Sequence, residues 1–155
     1  MEEMSGGALS TTTGAESVSE VLFRASRWWV DALASGLLDD DISGIDGWRV
    51  LGSLRSGDGF TMSDISLALS IPPPTLTRVV DRLVDAGFVL RRVDVMDRRR
   101  VLIYLSARGK SKLRKLIRQE GMLKAALVEE FGEDTAVHLI RTLARVPELP
   151  LPSAR

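Results

Sequence analysis

Three consecutive prolines, Pro72–Pro74, constrain the fold of this chain more than any other feature. Proline lacks the backbone N–H that a helix interior requires, so a helix before the triplet must end there, whereas proline fits the first turn of a following helix. Upstream, Thr61 or Ser63 can cap a short helix, with Asp64 favourable near its positive end. Downstream, apolar residues at helical spacing lead to Gly87, which is suited to end a second helix. The pattern predicts two helices joined by a tight turn.

A charged hairpin is predicted directly after the second helix. The runs 88–90 and 101–105 are strand-like, and the charged stretch 91–100 joins them. Two helices followed by such a hairpin are typical of a winged helix-turn-helix. Helical spacing of apolar residues also predicts flanking helices, while the proline-containing tail 147–152 is expected to be irregular. The predicted fold class is therefore mainly α with a small β-hairpin wing.

The charge is distributed unevenly, although the whole chain has a formal net charge of zero. Residues 78–118 contain 13 Arg and Lys against 4 Asp, a net charge of +9, and the remainder carries −9. A concentrated basic segment attracts phosphates even in a neutral chain. The charge pattern therefore favours a nucleic-acid partner.

Several function classes are disfavoured by what the sequence lacks. Its 155 residues contain no cysteine, and His138 is the one histidine, so thiolate chemistry is excluded and a histidine-based metal site is not expected. Neither a phosphate-binding glycine loop nor a catalytic cluster is present, so no enzyme activity and no cofactor are predicted. The acidic, small-residue-rich start is unlike a signal peptide, and no apolar run reaches membrane-spanning length. A cytoplasmic protein is the expectation.

The first turns of the second helix contain side chains suited to reading DNA. Thr75, Thr77 and Arg78 lie off the apolar stripe, at the end of the helix that contacts base edges in a helix-turn-helix. Arginine can form a bidentate contact with guanine. An ordinary solvated helix surface remains an alternative, since Asp81 and Asp85 are spaced to pair with Arg78 and Arg82.

The hairpin tip carries Arg98, Arg99 and Arg100 directly after Asp97. Guanidinium groups are attracted by the negative potential of a narrow minor groove. Asp97 is expected to orient a neighbouring arginine by a charge-assisted bond. A solvated turn that blocks aggregation is the alternative.

These segments together resemble the DNA-binding region of the MarR family of transcriptional regulators. The resemblance covers about residues 45–112 and includes Trp48–Leu51 before the helix-turn-helix. The remaining matching segments are Thr61–Ser66, Thr75–Leu83, Gly87–Val89, Arg91–Arg92, Asp97–Arg100 and Ser106–Lys110.

The resemblance implies a homodimer that binds a pseudo-palindromic double-stranded DNA operator as a repressor. Arg99 would enter the minor groove and Asp97 would hold the wing in shape, while Thr75, Thr77 and Arg78 would read the major groove. Ser63 and Arg82 would supply phosphate or neighbouring contacts. The alternative function is a winged-helix protein-interaction module that binds no operator.

Wide apolar faces on the flanking helices favour an intermolecular bundle, with packing inside one chain as the alternative. The resemblance also implies a small aromatic or phenolic effector, and tryptophan and arginine side chains could line its pocket unless the tryptophans belong to the core. The expected interface residues are Val18, Leu22, Leu33, Leu127, Ile140 and Leu143, and the candidate pocket residues are Arg24, Trp28, Trp29, Trp48 and Arg49.

The expected domain organisation has four parts. In chain order they are a disordered N-terminal segment, 1–14; an N-terminal dimerisation helix, 15–42; a winged helix-turn-helix DNA-binding domain, 43–105; and C-terminal dimerisation helices with a tail, 106–155.

Overall fold

The computed structural model describes residues 17–36, 42 and 44–150. The expectation of a disordered segment at 1–14 and the acidic run Asp39–Asp41 lie outside these residues. The helices and strands in chain order are α1 (Val18–Ser35), α2 (Ile45–Ser53), α3 (Met62–Leu69), α4 (Pro73–Asp85), β1 (Val89–Val93), β2 (Val101–Leu105), α5 (Ala107–Phe131) and α6 (Glu133–Arg145).

The helix-turn-helix predicted around the triple proline is confirmed as α3 and α4. Thr61, rather than Ser63, caps α3: its hydroxyl accepts a hydrogen bond from the Asp64 amide at 3.1 Å, and the Asp64 carboxylate accepts one from the Thr61 amide at 3.0 Å. Pro72 precedes α4, and Pro73 is its first residue. The N–H at the first position of a helix has no partner within the helix, so a proline there loses no hydrogen bond. The triplet therefore starts α4 as well as ending α3.

Gly87 ends α4 as its position predicted. Its amide donates to the Val84 carbonyl at 2.8 Å, and the Phe88 amide donates to the Leu83 carbonyl at 2.8 Å. This pair of bonds is a Schellman motif, which requires the left-handed conformation that Gly87 adopts with φ 72°. The chain therefore leaves α4 directly into the hairpin.

The hairpin is antiparallel, and its first strand extends further than the sequence indicated. Val89 pairs with Leu105 and Val93 pairs with Val101, so Arg91 and Arg92 lie within β1 and not in the connecting loop. Charged side chains are compatible with this strand because β1 is exposed beyond Val89. The prediction that assigned Arg91 and Arg92 to the connecting stretch because of their charge was therefore wrong, and it ended the first strand too early.

The base of the hairpin is fixed to the start of α5 through Ser106. The Ser106 hydroxyl accepts a hydrogen bond from the Gly109 amide at 2.9 Å and donates one to the Gly87 carbonyl at 2.6 Å. Its backbone amide donates to the Phe88 carbonyl at 3.0 Å. The end of α4, the hairpin and the start of α5 are thus joined at one point.

The hydrophobic core lies between the helix-turn-helix, α2, the hairpin base and the middle of α5. Leu33 from α1 and Leu116 and Leu123 from α5 also belong to it. The side chains that are almost completely buried include Val50, Leu51, Leu54, Ile65, Leu76, Val80, Leu83, Val89 and Ile103. The core therefore attaches α1 and α5 to the helix-turn-helix and the hairpin.

Apolar side chains remain exposed on the flanking helices. Val18, Phe23, Ile140 and Leu143 are examples. The residues after α6 form one 3₁₀ turn, Val146–Glu148, where an irregular tail was expected. No helix in the described part of the chain has the length and apolar character needed to cross a membrane.

Candidate nucleic-acid interface

Helix α4 separates buried from exposed side chains cleanly. Leu76 and Val80 face the core, whereas Thr75, Thr77 and Arg78 are exposed in its first turns. The Thr77 hydroxyl donates to the Pro73 carbonyl at 2.9 Å, which leaves its oxygen lone pairs and its methyl group available. The first two turns of α4 thus present two threonines and an arginine to an approaching ligand.

A groove of about 320 Å³ runs between α3 and α4. Ser63 and Thr77 lie on its opposite walls. Arg82, also exposed, lies in the last turn of α4. Ser63 is therefore placed beside the first turns of α4, while Arg82 lies further along that helix.

The wing turn is held by two aspartates, and they act chiefly on the backbone. The Asp97 carboxylate accepts a hydrogen bond from the Arg99 amide at 3.0 Å, and the Asp94 carboxylate accepts one from the Met96 amide at 2.9 Å. The Asp94 amide donates to the Arg100 carbonyl at 2.9 Å. Asp97 was expected to orient an arginine side chain, but the hydrogen bond of its carboxylate goes to a main-chain amide. Its contact fixes the turn on which the arginines stand.

Asp94 is the acidic partner of the Arg100 guanidinium in the wing, and this pair was not predicted from the sequence. Its carboxylate lies 3.9 Å from the Arg100 guanidinium. Both neighbouring arginines, Arg98 and Arg99, are exposed. The signal in the sequence was an aspartate placed symmetrically with Asp97 about the apolar pair 95–96.

The wing also affects the electrostatics of α3. The pKa of Asp64 lies below its ordinary value of 3.8, chiefly because Thr61 donates side-chain and backbone hydrogen bonds to the carboxylate. The positive charge of Arg100 lowers it further. The capping carboxylate of α3 therefore stays ionised near the wing at neutral pH.

A salt bridge joins α4 to the first wing strand. The Asp81 carboxylate lies 2.5 Å from the Arg91 guanidinium. Sequence spacing had suggested a partner for Asp81 within its own helix, because residues three and four apart are neighbours on a helix. The hairpin instead brings Arg91 to Asp81 from ten residues further along the chain. This salt bridge links α4 directly to the wing.

A small cavity lies between α1, α2 and α5, on the side of α2 next to the long helices. Its volume is about 190 Å³, and Trp48 and Arg49 line it together with Leu33, Leu116 and Glu120. Of the candidate pocket residues, Trp48 and Arg49 therefore line this cavity. Arg24, Trp28 and Trp29 lie on α1 and do not line this cavity.

The two tryptophans of α1 have different surroundings. Their ring centroids are 6.0 Å apart. Trp29 packs against the core, whereas Trp28 is 53% exposed. Trp29 thus follows the alternative in which a tryptophan belongs to the core.

Five of the six expected interface residues keep accessible surface. Val18, Leu22, Ile140 and Leu143 are exposed, and Leu127 is half-buried. Leu33 differs: it is 2% exposed because it packs into the core of its own chain. No partner could cover Leu33 further, and it stabilises the attachment of α1.

Acidic and histidine side chains do not gather into a possible metal site anywhere in the described residues: no group of three or more was found there.

The sequence matches the MarR family over residues 41–100. This match spans α2, the helix-turn-helix and the wing as far as its arginines. Among curated proteins, no sequence matches the chain.

Solved structures of MarR-type regulators resemble the whole fold. A single-residue mutant of MarR from E. coli, complexed with operator DNA, is 27% identical, with a TM-score of 0.71 and coverage of 86% of this chain and 93% of that chain. The transcriptional repressor CouR, bound to a DNA duplex, is 22% identical, with a TM-score of 0.76 and coverage of 85% and 93%.

A third structure covers nearly all of both chains. The regulator PcaV from Streptomyces coelicolor, in complex with its natural ligand, is 18% identical, with a TM-score of 0.71 and coverage of 94% and 98%. These likenesses show the fold, and the family match covers α2, the helix-turn-helix and the wing. The resemblance seen in the sequence is thus confirmed: the chain carries the MarR family signature at residues 41–100 within the winged helix fold of MarR-type transcriptional regulators.

Proposed function

We propose that this chain is a sequence-specific double-stranded DNA-binding repressor that acts as a homodimer on a pseudo-palindromic operator. One observation carries the proposal: the exposed first turns of α4 and the arginine-bearing wing are linked through Asp81 and Arg91. A helix for the major groove and a basic loop for the adjacent minor groove are the two parts that such readout requires.

The roles follow from exposure and chemistry. Arg78 reads a guanine edge, with Thr75 and Thr77 contacting neighbouring bases or thymine methyl groups. Ser63 and Arg82 bind phosphates on either side and fix the register. Arg98, Arg99 and Arg100 bind in the minor groove, on a turn whose backbone is held by Asp97.

The dimer is formed by the exposed apolar surfaces of α1, α5 and α6. A two-fold axis would bury Val18, Leu22, Leu127, Ile140 and Leu143 against their copies, and it would give two recognition helices. Two such helices must lie about 34 Å apart to enter successive major grooves. A single copy would contact too few base pairs for a search of a genome.

The cavity beside Trp48 suits a small aromatic anion that releases the DNA. Most of its lining residues are apolar, and Arg49 and Arg55 against Glu120 leave a net positive charge. At about 190 Å³ it fits a one-ring molecule better than a larger ligand.

Arg49 connects this cavity to the helix-turn-helix. Its guanidinium donates to the Leu69 carbonyl in the last turn of α3 and pairs with the Asp46 carboxylate at 2.9 Å. An anion in the cavity would compete for the same guanidinium. Binding there would loosen the tie between α2 and α3 and disfavour the arrangement that fits DNA.

Operator binding is tested by selecting duplexes from a random-sequence pool with the full-length protein, followed by titrations at several salt concentrations. We expect enrichment of an inverted repeat and a steep fall in affinity as salt rises, since each phosphate contact releases counterions. Failure to bind any duplex at about 50 mM salt would overturn the proposal. A reporter gene placed behind the selected site should be expressed less when the protein is present.

Release is tested with benzoate, the simplest aromatic carboxylate, and its ring-hydroxylated derivatives. At least one should weaken binding to the selected duplex, and Arg49→Gln should abolish that response. Lys124→Gln, which alters an exposed cation on α5 outside the cavity, is the matched control. A full panel without effect would remove the effector from the proposal and leave DNA binding in place.

A further inference from the structure

The tip of the wing is apolar. Val95 and Met96 are 92% and 93% exposed, which makes them the most exposed large apolar side chains in the described residues. They lie between Asp94 and Asp97, at the end of the hairpin furthest from the core. Burying two adjacent and almost fully exposed apolar side chains against a partner would be favourable, which makes this pair a candidate contact.

The backbone beneath these side chains is ordered by the turn itself. The Met96 amide is bound by the Asp94 carboxylate at 2.9 Å, and the Arg100 amide donates to the Asp97 carbonyl at 2.9 Å. A side chain presented on a fixed turn loses less conformational entropy on binding than one on a mobile loop. The tip is therefore prepared for contact.

The surroundings of the tip identify the chemistry of the partner. Arg98, Arg99 and Arg100 follow it within four residues and are exposed, and Arg92 is exposed on β1. These four arginines outnumber the two flanking aspartates, so the surface around the apolar pair is net positive. Such a surface complements a polyanion with an apolar interior. The minor groove of DNA fits this description, because its phosphate edges flank walls of deoxyribose C–H groups and stacked bases, and proteins insert methionine and other apolar wedges there.

We infer that Val95 and Met96 form an apolar wedge in the minor groove, with Val95 against the deoxyribose wall and Met96 at a base step that it partly unstacks. This inference rests on the proposed DNA binding and assigns the tip a task distinct from that of the arginines. The arginines supply charge, which is sensitive to salt, whereas the wedge supplies apolar contact and bends the duplex. The energetic cost of bending makes the wedge favour flexible pyrimidine–purine steps.

The direct test is NMR of the full-length protein labelled with ¹³C at its methionine methyl groups, with and without the best duplex from the selection. The chain has five methionines, so the spectrum is simple and Met96→Gln assigns its signal. We expect the Met96 signal to shift and to show contacts to base protons at the unstacked step. The Met122 signal, from an exposed residue of α5 outside the wing, should shift less than the Met96 signal.

The energetic test uses Val95→Thr/Met96→Gln, which keeps the size of both side chains while making them polar. Binding should weaken about tenfold, since contact area equivalent to part of two apolar side chains is lost. The slope of log affinity against log salt should stay unchanged because no phosphate contact is removed. Fluorescence energy transfer between the duplex ends should report a smaller bend.

The possible outcomes distinguish failure of the apolar wedge from failure of the proposed DNA binding. If the wild-type protein binds no duplex, the proposed function and the wedge both fail. If it binds DNA tightly but the Met96 methyl signal is unmoved at saturation, the wedge alone is overturned. Unchanged affinity and bending in Val95→Thr/Met96→Gln would overturn it equally, and a change in the salt slope would assign the effect to the arginines.

Discussion

The carboxylate of Asp81 on α4 and the guanidinium of Arg91 on the first wing strand are 2.5 Å apart. Both side chains remain substantially exposed, so the pair stabilises the fold little. Its consequence is geometric, because it sets the orientation of the wing relative to the helix. The proposed fit of α4 in a major groove and of the wing in the adjacent minor groove depends on that orientation.

Asp81→Asn should therefore weaken DNA binding without destabilising the protein. We expect the free energy of unfolding to change by less than about 1 kcal/mol, as for other exposed pairs. Affinity for the selected duplex should fall because the wing loses its fixed orientation. Asp85→Asn removes the same charge one turn further along α4, outside this pair, and is the control. Equal binding by both variants would show that the salt bridge has no part in DNA recognition.

Arg99→Ala tests the charged part of the wing. Its side chain is exposed, so thermal unfolding should be unaffected, while the free energy of DNA binding should fall by about 1–3 kcal/mol. The salt dependence should become shallower, which separates this variant from the apolar wedge. Lys124→Ala removes an exposed positive charge from α5 and should leave affinity nearly unchanged. Wild-type affinity in Arg99→Ala would exclude this arginine from the mechanism.

Leu22→Asp tests the dimer. This leucine of α1 is 42% exposed in the isolated chain, and a charge there would be buried in the proposed interface. Analytical ultracentrifugation should show a shift from dimer to folded monomer, together with loss of operator binding. Leu67→Asp places the same charge on an exposed leucine of α3 and should leave the dimer intact. A stable Leu22→Asp dimer would place the interface elsewhere.

Gly109→Ala tests the junction between wing and long helix. A Cβ at this position would lie 2.0 Å from the Phe88 carbonyl oxygen, a backbone atom that cannot move without shifting the hairpin base. Overpacking of this kind destabilises by about 1–3 kcal/mol, measurable by chemical denaturation. Gly121→Ala on the same helix meets nothing within 4 Å and should stabilise by about 1 kcal/mol. Similar effects of the two changes would contradict the close packing of Gly109 against Phe88.

Acid should weaken the start of α3 through Asp64. The pKa of this carboxyl is below 3.8 in the folded protein, so its stabilising effect is complete above that value and is lost as the pH falls through the lower folded value. In Asp64→Asn, the free energy of unfolding should therefore decrease less as the pH falls below about 4. Unfolding can be measured by circular dichroism. Asp58→Asn, in the loop before α3, serves as the control. An acid limb unchanged by Asp64→Asn would show that the capping box contributes nothing in this range.

Local physics made much of this fold predictable from the sequence. Three prolines cannot occupy a helix interior, Gly87 can adopt a left-handed conformation that other residues avoid, and Ser106 can cap a helix. Each of these constraints acts over a few residues. The helix-turn-helix, the hairpin and the long α5 could therefore be placed without knowledge of their neighbours.

Tertiary packing decided which side chains meet. Leu33 and Leu22 lie on the same apolar helix, yet Leu33 is buried in its own chain and Leu22 remains available to a partner. Asp81 pairs with Arg91, and Arg49 bonds the end of α3, because helix and strand faces are brought together across ten and twenty residues. The sequence by itself determined the elements and the concentration of charge, since both follow from residue type and spacing. Only the fold determined how α4 and the wing are joined, because that depends on the relative orientation of packed elements.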